Sequence, residues 1–201
     1  MRTLSLARFL PVTLVLIAIS SLITLLSSFG ENRQLLLPFY ISEYTGGAMR
    51  EVFQGEVWRL WMPIFMHFGL FHFLFSMLWL FDLGGTLERA QGSPRLGLLV
   101  AVTGVIGNVA QYFWAGPNFG GMSGVTYGLF GYILVQRRSN PDGGLVLHPY
   151  IVVMMLAWFV LCWAGVIGNA TNMAHTLCLV CGILLGRVMS PRKSRHSEQE
   201  L

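Results

Sequence analysis

The chain has 201 residues, of which 54% are hydrophobic and only 11% charged, with a mean hydropathy of +0.62 and a net charge of +4. A soluble domain carries about 25% charged residues, so this composition excludes an ordinary water-soluble protein and indicates an integral membrane protein. The positive charge does not indicate a nucleic-acid partner, because the basic residues are sorted by side, as membrane topology requires, and not gathered on one surface.

Hydrophobic runs predict an all-α polytopic membrane protein, a bundle of six transmembrane helices near residues 8–28, 62–84, 96–114, 123–136, 148–166 and 172–189. These six spans leave a single membrane domain over 1–201, with a short N-terminus and a mobile tail from about residue 190. The first span follows Arg2 and Arg8 in the manner of a signal peptide. Its length and the lack of an Ala-x-Ala cleavage site favour a retained anchor.

Residues 29–61 form the longest connection and mix Leu35 to Tyr40 with Glu43, Arg50, Glu51, Glu56, Trp58 and Arg59. Such a composition predicts a folded loop lying in the membrane interface, with Arg59 hydrogen-bonded to loop carbonyls. The second span carries His67, His72 and Ser76. On a helix, His72 and Ser76 share a face at i, i+4, whereas His67 points elsewhere and is placed to make a supporting hydrogen bond near the outer end. Both histidines can equally be read as satisfied packing residues. Near the inner end, Glu88 follows Gly84 and Gly85 and is placed to cap or cross-link helix ends; Asp82, somewhat deeper, reads as a local ion-pair or hydrogen-bond partner.

Residues 115–122 break the chain with Pro117 and several glycines immediately before the short fourth span. Gly121-Met122-Ser123-Gly124 therefore puts Ser123 in the first turn of a helix whose free amides face that loop, a natural site for negative charge. Fourteen helical residues reach only about 21 Å, so this span starts below the membrane surface or has its ends protected by protein. Tyr127, four residues on, either packs on the imidazole of His175 or fills the bundle interior.

After a turn-rich inner connection at 137–147 and a fifth span, the sixth span opens with His175 at the same outer depth as Ser123. A neutral imidazole there can take the serine proton and return it to a departing amine. No acidic residue stands at that depth in spans three to six, so a catalytic unit would be a Ser-His dyad. Gly124, Gly128 and Gly131 on the fourth span and Gly182 and Gly186 on the sixth form small faces that let the two helices approach. Cys162, Cys178 and Cys181 read as buried packing residues and not a disulfide framework. Metal chemistry fits poorly, since no His-Glu-x-x-His motif is present, and neither is a phosphate loop. The residues alone leave a serine hydrolase and a transporter as competing readings, with no cofactor required by either.

The basic residues place both termini on one side. Arg2, Arg8, Arg89, Arg95, Arg137, Arg138, Arg187, Arg192, Lys193 and Arg195 fall inside, and Arg33, Arg50 and Arg59 outside. The tail, Arg192 to Arg195 followed by Glu198 and Glu200, reads as a cytoplasmic end touching lipid headgroups.

In the order Glu56-x-Trp58-Arg59, His67-x4-His72, Gly84-Gly85-x2-Glu88, Gly121-x-Ser123-Gly124-x2-Tyr127 and Ala174-His175, nearly the whole chain resembles the rhomboid intramembrane serine proteases in their compact bacterial six-span form. The resemblance implies Ser123 as nucleophile and His175 as general base and then acid. It assigns the oxyanion to the Ser123 amide, His72 and the position of Ser76, and supporting roles to His67, Tyr127, Trp58, Arg59, Glu88, Gly121 and Gly124. It further implies transmembrane protein substrates, cut near the outer face of a bacterial inner membrane, and no cofactor or metal. Two positions depart from the family pattern: Ser76 stands where asparagine is common, and Cys178 where glycine is usual. These departures leave a noncatalytic relative that binds client helices as the alternative.

Overall fold

A computed structural model describes residues 10–43, 48–166 and 171–190, and these are all-α. The positions assigned above to cytoplasmic ends, Arg2, Arg8, Arg192, Lys193, Arg195, Glu198 and Glu200, lie outside the described residues, as do Asn169 and Ala170. Six long helices follow in chain order: α1 (Pro11–Leu26), α2 (Leu70–Gln91), α3 (Ser93–Ala115), α4 (Ser123–Ser139), α5 (Pro149–Trp163) and α6 (Asn172–Val188). Together they form a polytopic membrane-helix bundle, and large side chains such as Val15, Leu22, Phe71, Phe113, Val153 and Leu184 stand exposed around it, as a lipid-facing surface requires.

Six full crossings were expected from hydropathy, but among the described residues only α2 and α3 are both long and apolar enough to cross a bilayer. α1, α5 and α6 are apolar but have 16, 15 and 17 residues. At 1.5 Å per residue they reach roughly 23–26 Å against a hydrocarbon core of about 30 Å. The second span also begins later than its hydropathy indicates. Pro63 lies in a short 3₁₀ turn (Met62–Phe65), and Gly69, at φ +86°, then precedes the helix. Residues 62–69 are therefore irregular, and His67 is not on the helix that carries His72 and Ser76.

α4 is the centre of the bundle. Its residues from Ser123 to Ile133 are buried, with Tyr127, Phe130 and Tyr132 among the largest enclosed side chains. Protein surrounds it, so it needs neither the length nor the hydropathy of a lipid-facing span. α6 packs tightly on it through glycine: a Cβ added at Gly182 would collide with the carbonyl of Gly128, and one at Gly131 would lie 2.5 Å from the carbonyl of Leu179.

Glu88 ties the opposite end together. Its carboxylate accepts from the amides of Val12 and Thr13, at 2.9 Å each, and from the hydroxyls of Thr13 and Ser93, at 2.6 Å each. It thus caps the free amides of α1 from 75 residues away and joins α1, α2 and the start of α3. α2 makes a π-helical turn at Leu80–Gly84; its last residue, Gly84, sits against Thr13 of α1, and the following Gly85 against Leu10, just before α1.

The outer connection folds around buried Arg59. Its guanidinium donates to the carbonyls of Leu37 (2.8 Å) and Tyr40 (3.0 Å) and pairs with Glu43 (3.0 Å) and Glu56 (2.5 Å). Glu51 accepts from the Ser42 hydroxyl (2.8 Å) and the Glu43 amide (2.9 Å). Burial opposes ionisation of Glu51, but the amides of Glu43 and Glu51, the Ser42 hydroxyl and the Arg59 charge outweigh it and hold the carboxyl below its ordinary range. Trp58 is half exposed and Phe53 largely so, which presents aromatic rings to the interface.

Candidate active site

Ser123 is the first residue of α4, so its amide is left over by the helix hydrogen-bond ladder. The chain reaches it through Gly121, which takes φ +118° while its amide donates to the Pro63 carbonyl at 2.9 Å. A side chain at 121 would also meet the His72 ring, with Cβ 2.6 Å from Cε1. Glycine is thus required twice there, by backbone conformation and by space.

The Ser123 Oγ lies 2.9 Å from Nε2 of His175 and 3.4 Å from Nε2 of His72. Serine 9% exposed and His175 2% exposed make this a recessed pair, not a surface contact. Thr171 Oγ1 is a further 3.2 Å neighbour of His175 Nε2. Nδ1 of His175 is buried without a hydrogen-bond partner among the described residues, none of which serves as an orienting acid. The imidazole is held by packing instead. The Tyr127 ring lies 4.6 Å from it, centroid to centroid, and is itself fixed by its hydroxyl donating to the Met155 carbonyl at 2.8 Å.

His67 supports the serine loop from its irregular segment. Its Nε2 accepts from the Met122 amide at 3.2 Å, which leaves the proton on Nδ1, beside the Phe65 carbonyl (3.2 Å) and Thr24 Oγ1 (3.4 Å). The His67 and His72 ring centroids are 5.4 Å apart. Trp58, Arg59 and Glu88 do not reach this site: the first two belong to the outer connection and Glu88 to the far end of α2.

One contributor escaped the sequence reading. Gln111, fully buried on α3, accepts through Oε1 from the amides of Met173 (3.0 Å) and Ala174 (3.1 Å). It caps the first turn of the helix that carries His175. The available signal was an amide side chain inside an apolar span, which is expensive without a partner. Asn172 similarly joins α6 to the end of α5, donating to the Cys162 carbonyl at 3.1 Å.

The two departures from the resemblance take different forms. Cys178 is accommodated: its thiol donates to the Thr103 carbonyl (3.1 Å) and occupies space left by Gly107, where an added Cβ would lie 2.5 Å from the sulfur. Gly124 faces the same sulfur and Ala174. Ser76, 2% exposed, has a hydroxyl with no partner and borders a small cavity of about 20 Å³ that also touches His72 and Ser123.

A larger cavity of about 330 Å³ reaches Ser123, His72 and His175 and is walled by Phe71 of α2 and Trp158 and Cys162 of α5. Between these helices, the Phe75 and Trp158 rings stack with centroids 4.5 Å apart. A hydroxyl bonded to a neutral imidazole, beside a leftover helix amide and in a cavity that admits a ligand, can carry out acyl transfer.

Residues 54–192 match the model of the Rhomboid domain. The rhomboid protease GlpG homolog of Cronobacter sakazakii is 40% identical over 144 residues, which is 72% of this chain and 51% of that protein. The rhomboid proteases GlpG of Salmonella paratyphi A and Klebsiella pneumoniae are each 36% identical, over 138 and 136 residues, covering 68% and 67% of this chain and 50% and 49% of theirs. The chain spans about half the length of these curated relatives.

Proposed function

Because the chain belongs to the rhomboid family, we propose that it is an intramembrane serine endopeptidase that cleaves transmembrane proteins near the outer membrane face. The observation that carries this reading is the 2.9 Å contact of Ser123 Oγ with His175 Nε2 at the end of the 330 Å³ cavity. Ser123 Oγ attacks the carbonyl carbon of the scissile peptide bond while its proton passes to His175 Nε2. The oxyanion so formed takes hydrogen bonds from the Ser123 amide and from His72. Collapse breaks the C–N bond, and His175 returns the proton to the leaving amine. A water, deprotonated by His175, then hydrolyses the acyl-serine.

The finer roles belong to the same reading. His67 holds the serine loop through the Met122 amide, Tyr127 limits rotation of His175, and Gly121 and Gly124 give His72 and α6 room. Arg59 with Trp58 shapes the outer loop, and Glu88 fixes the opposite helix ends. Ser76 serves the oxyanion through a water: the adjoining 20 Å³ exceeds the roughly 10–15 Å³ that one water needs.

The topology in this reading is a single six-crossing membrane domain in a bacterial inner membrane with both termini cytoplasmic. The alternating course of six helices supports it, as do Arg89, Arg95, Arg137, Arg138 and Arg187, which collect at the end away from Ser123. Substrate enters between helices from the lipid and unwinds locally to present its peptide bond.

The test is a fluorophosphonate probe applied to purified protein in detergent, together with cleavage of a transmembrane substrate. Labelling and cleavage that both vanish in Ser123→Ala are the expected result. Client binding that survives Ser123→Ala, with no proteolysis in either protein, would instead establish a noncatalytic helix binder.

A further inference from the structure

Thr171 brings a second hydroxyl to the base. Among the described residues that line the 330 Å³ cavity, it carries the one hydroxyl besides that of Ser123, and the proposed acyl transfer makes no use of it. Its Oγ1 lies 3.2 Å from His175 Nε2, so that ring nitrogen has two hydroxyl oxygens within hydrogen-bond distance, Ser123 Oγ at 2.9 Å being the nearer. Nδ1, on the other side of the ring, has no partner among the described residues.

The start of α6 explains why this hydroxyl faces the imidazole. Thr171 is the N-cap of that helix, a position where a threonine side chain ordinarily accepts from an amide of the first turn. It makes no such bond. Gln111 of α3 takes the Met173 and Ala174 amides instead, so the first turn is capped from another helix. The Thr171 carbonyl accepts from the His175 amide at 3.0 Å, and this i, i+4 link sets the two side chains on one face. The hydroxyl is thereby released from capping and held where the proton is transferred.

We infer that Thr171 is a positioning residue for the transferred proton: its oxygen accepts a hydrogen bond from Nε2–H of the His175 imidazolium and keeps that proton directed into the cavity until the leaving amine takes it. The inference rests on the proposed proteolysis. As the bond from Ser123 Oγ to the substrate carbon forms, the serine proton moves to Nε2 and the carbonyl electron pair moves onto oxygen. Oγ is then bonded to carbon, and if it regains the proton that bond breaks and the substrate is released uncut. Thr171 offers the proton an acceptor outside this reverse path, on the wall of the cavity that holds the substrate. When the C–N bond breaks, the nitrogen keeps the bonding pair and takes the proton from Nε2; Thr171 neither gains nor loses one. An uncharged acceptor orients the imidazolium without placing a further charge in the membrane interior.

The test compares two reactions of the purified full chain in detergent. Cleavage of a peptide bond needs a proton delivered to nitrogen, whereas a fluorophosphonate loses fluoride, which departs without one. Thr171→Val keeps the side-chain shape and removes the acceptor. It is expected to lower kcat for a transmembrane substrate about tenfold or more at unchanged KM, the weight of one hydrogen bond to a charged group. Fluorophosphonate labelling of Ser123 in the same variant should slow less than about threefold, and Thr171→Ser, which restores the oxygen, should return kcat to within about threefold of wild type. Thr171→Ala gives the same comparison if valine crowds the ring. Equal losses of labelling and cleavage would assign Thr171 to the fold or to the first proton transfer and overturn the inference. Undiminished cleavage by Thr171→Val, a loss carried by KM, or no recovery in Thr171→Ser would overturn it as well. Wild-type protein that neither labels nor cleaves would instead overturn the protease reading beneath it.

Discussion

The hydroxyl of Ser123 is 2.9 Å from Nε2 of His175, while Nδ1 of the same imidazole is buried with no partner. The base is therefore oriented from its ring face by Tyr127 and through the backbone of its helix by Gln111, and not by a carboxylate. An acid at Nδ1 would place a charge in the membrane interior, where it is costly.

Removing either member of the pair should abolish turnover. Ser123→Ala and His175→Asn are each expected to lower kcat about 10⁴-fold or more, and the double variant to lose no more than the worse single one, since the two act as a unit. Single-turnover cleavage of a transmembrane substrate measures this. Losses that multiply in the double variant would contradict a shared role.

Ser76 separates catalysis from stability. Its buried hydroxyl has no protein partner, so Ser76→Ala breaks no hydrogen bond within the protein and should leave the thermal midpoint nearly unchanged. If the hydroxyl reaches the oxyanion through water, the same change lowers kcat roughly tenfold at constant KM, less than the ~10²–10³ cost of losing a direct donor. Ser76→Asn should raise kcat. An unchanged kcat in Ser76→Ala would remove Ser76 from the mechanism.

The helix contacts make a sharper packing test. Gly182→Ala drives a methyl into the Gly128 carbonyl and should cost at least about 1–3 kcal/mol. Gly107→Ala should cost a similar amount by striking Cys178 Sγ, and Cys178→Ala should leave a small void. The double variant should recover about 1 kcal/mol or more relative to the sum, as read from thermal unfolding. Simple additivity would mean that the two residues do not share space.

Acid should loosen the outer connection through Glu51. Its folded-state pKa lies below its unfolded value, so its stabilising contribution is complete above the unfolded pKa, near 4.3, and is lost as pH falls through the depressed folded pKa. Hydrogen exchange of residues 29–61 should therefore stay slow from neutral pH to about 5 and, after correction for intrinsic rates, speed up below about 4. Glu51→Gln should begin less protected and lack that transition.

Phe75 and Trp158 are the stacked contact between α2 and α5 beside the large cavity. Such a pair contributes about 0.5–1.5 kcal/mol beyond its buried area. Trp158→Ala should widen the passage, raising kcat/KM for a bulky transmembrane substrate severalfold while lowering the thermal midpoint. Equal cleavage by wild type and variant would show that α5 does not limit entry.

Much of the site was legible because membrane insertion makes polar residues conspicuous. Ser123, His175 and His72 stood out as costly groups in apolar sequence, and the glycines of the fourth and sixth spans marked the faces on which these helices meet. Hydropathy misplaced the second span, because residues 62–69 are as apolar as a helix although Pro63 and Gly69 bar regular helix. His67 was consequently given a helical position it does not hold. Gln111 was overlooked because its value lies in two amides more than 60 residues away.

The sequence by itself determined that the chain is an all-helical membrane protein and that a serine heads a glycine-flanked helix, which at 17 residues is longer than its apolar run. Composition and local backbone preference suffice for these, since each is a property of neighbouring residues. Only the tertiary structure decided that Oγ and Nε2 meet at 2.9 Å, that Gly107 makes room for Cys178, and that Ser76 is left unpaired beside a cavity. Each of these depends on how closely separate helices approach, which is set by packing across the whole bundle and is written in no single segment.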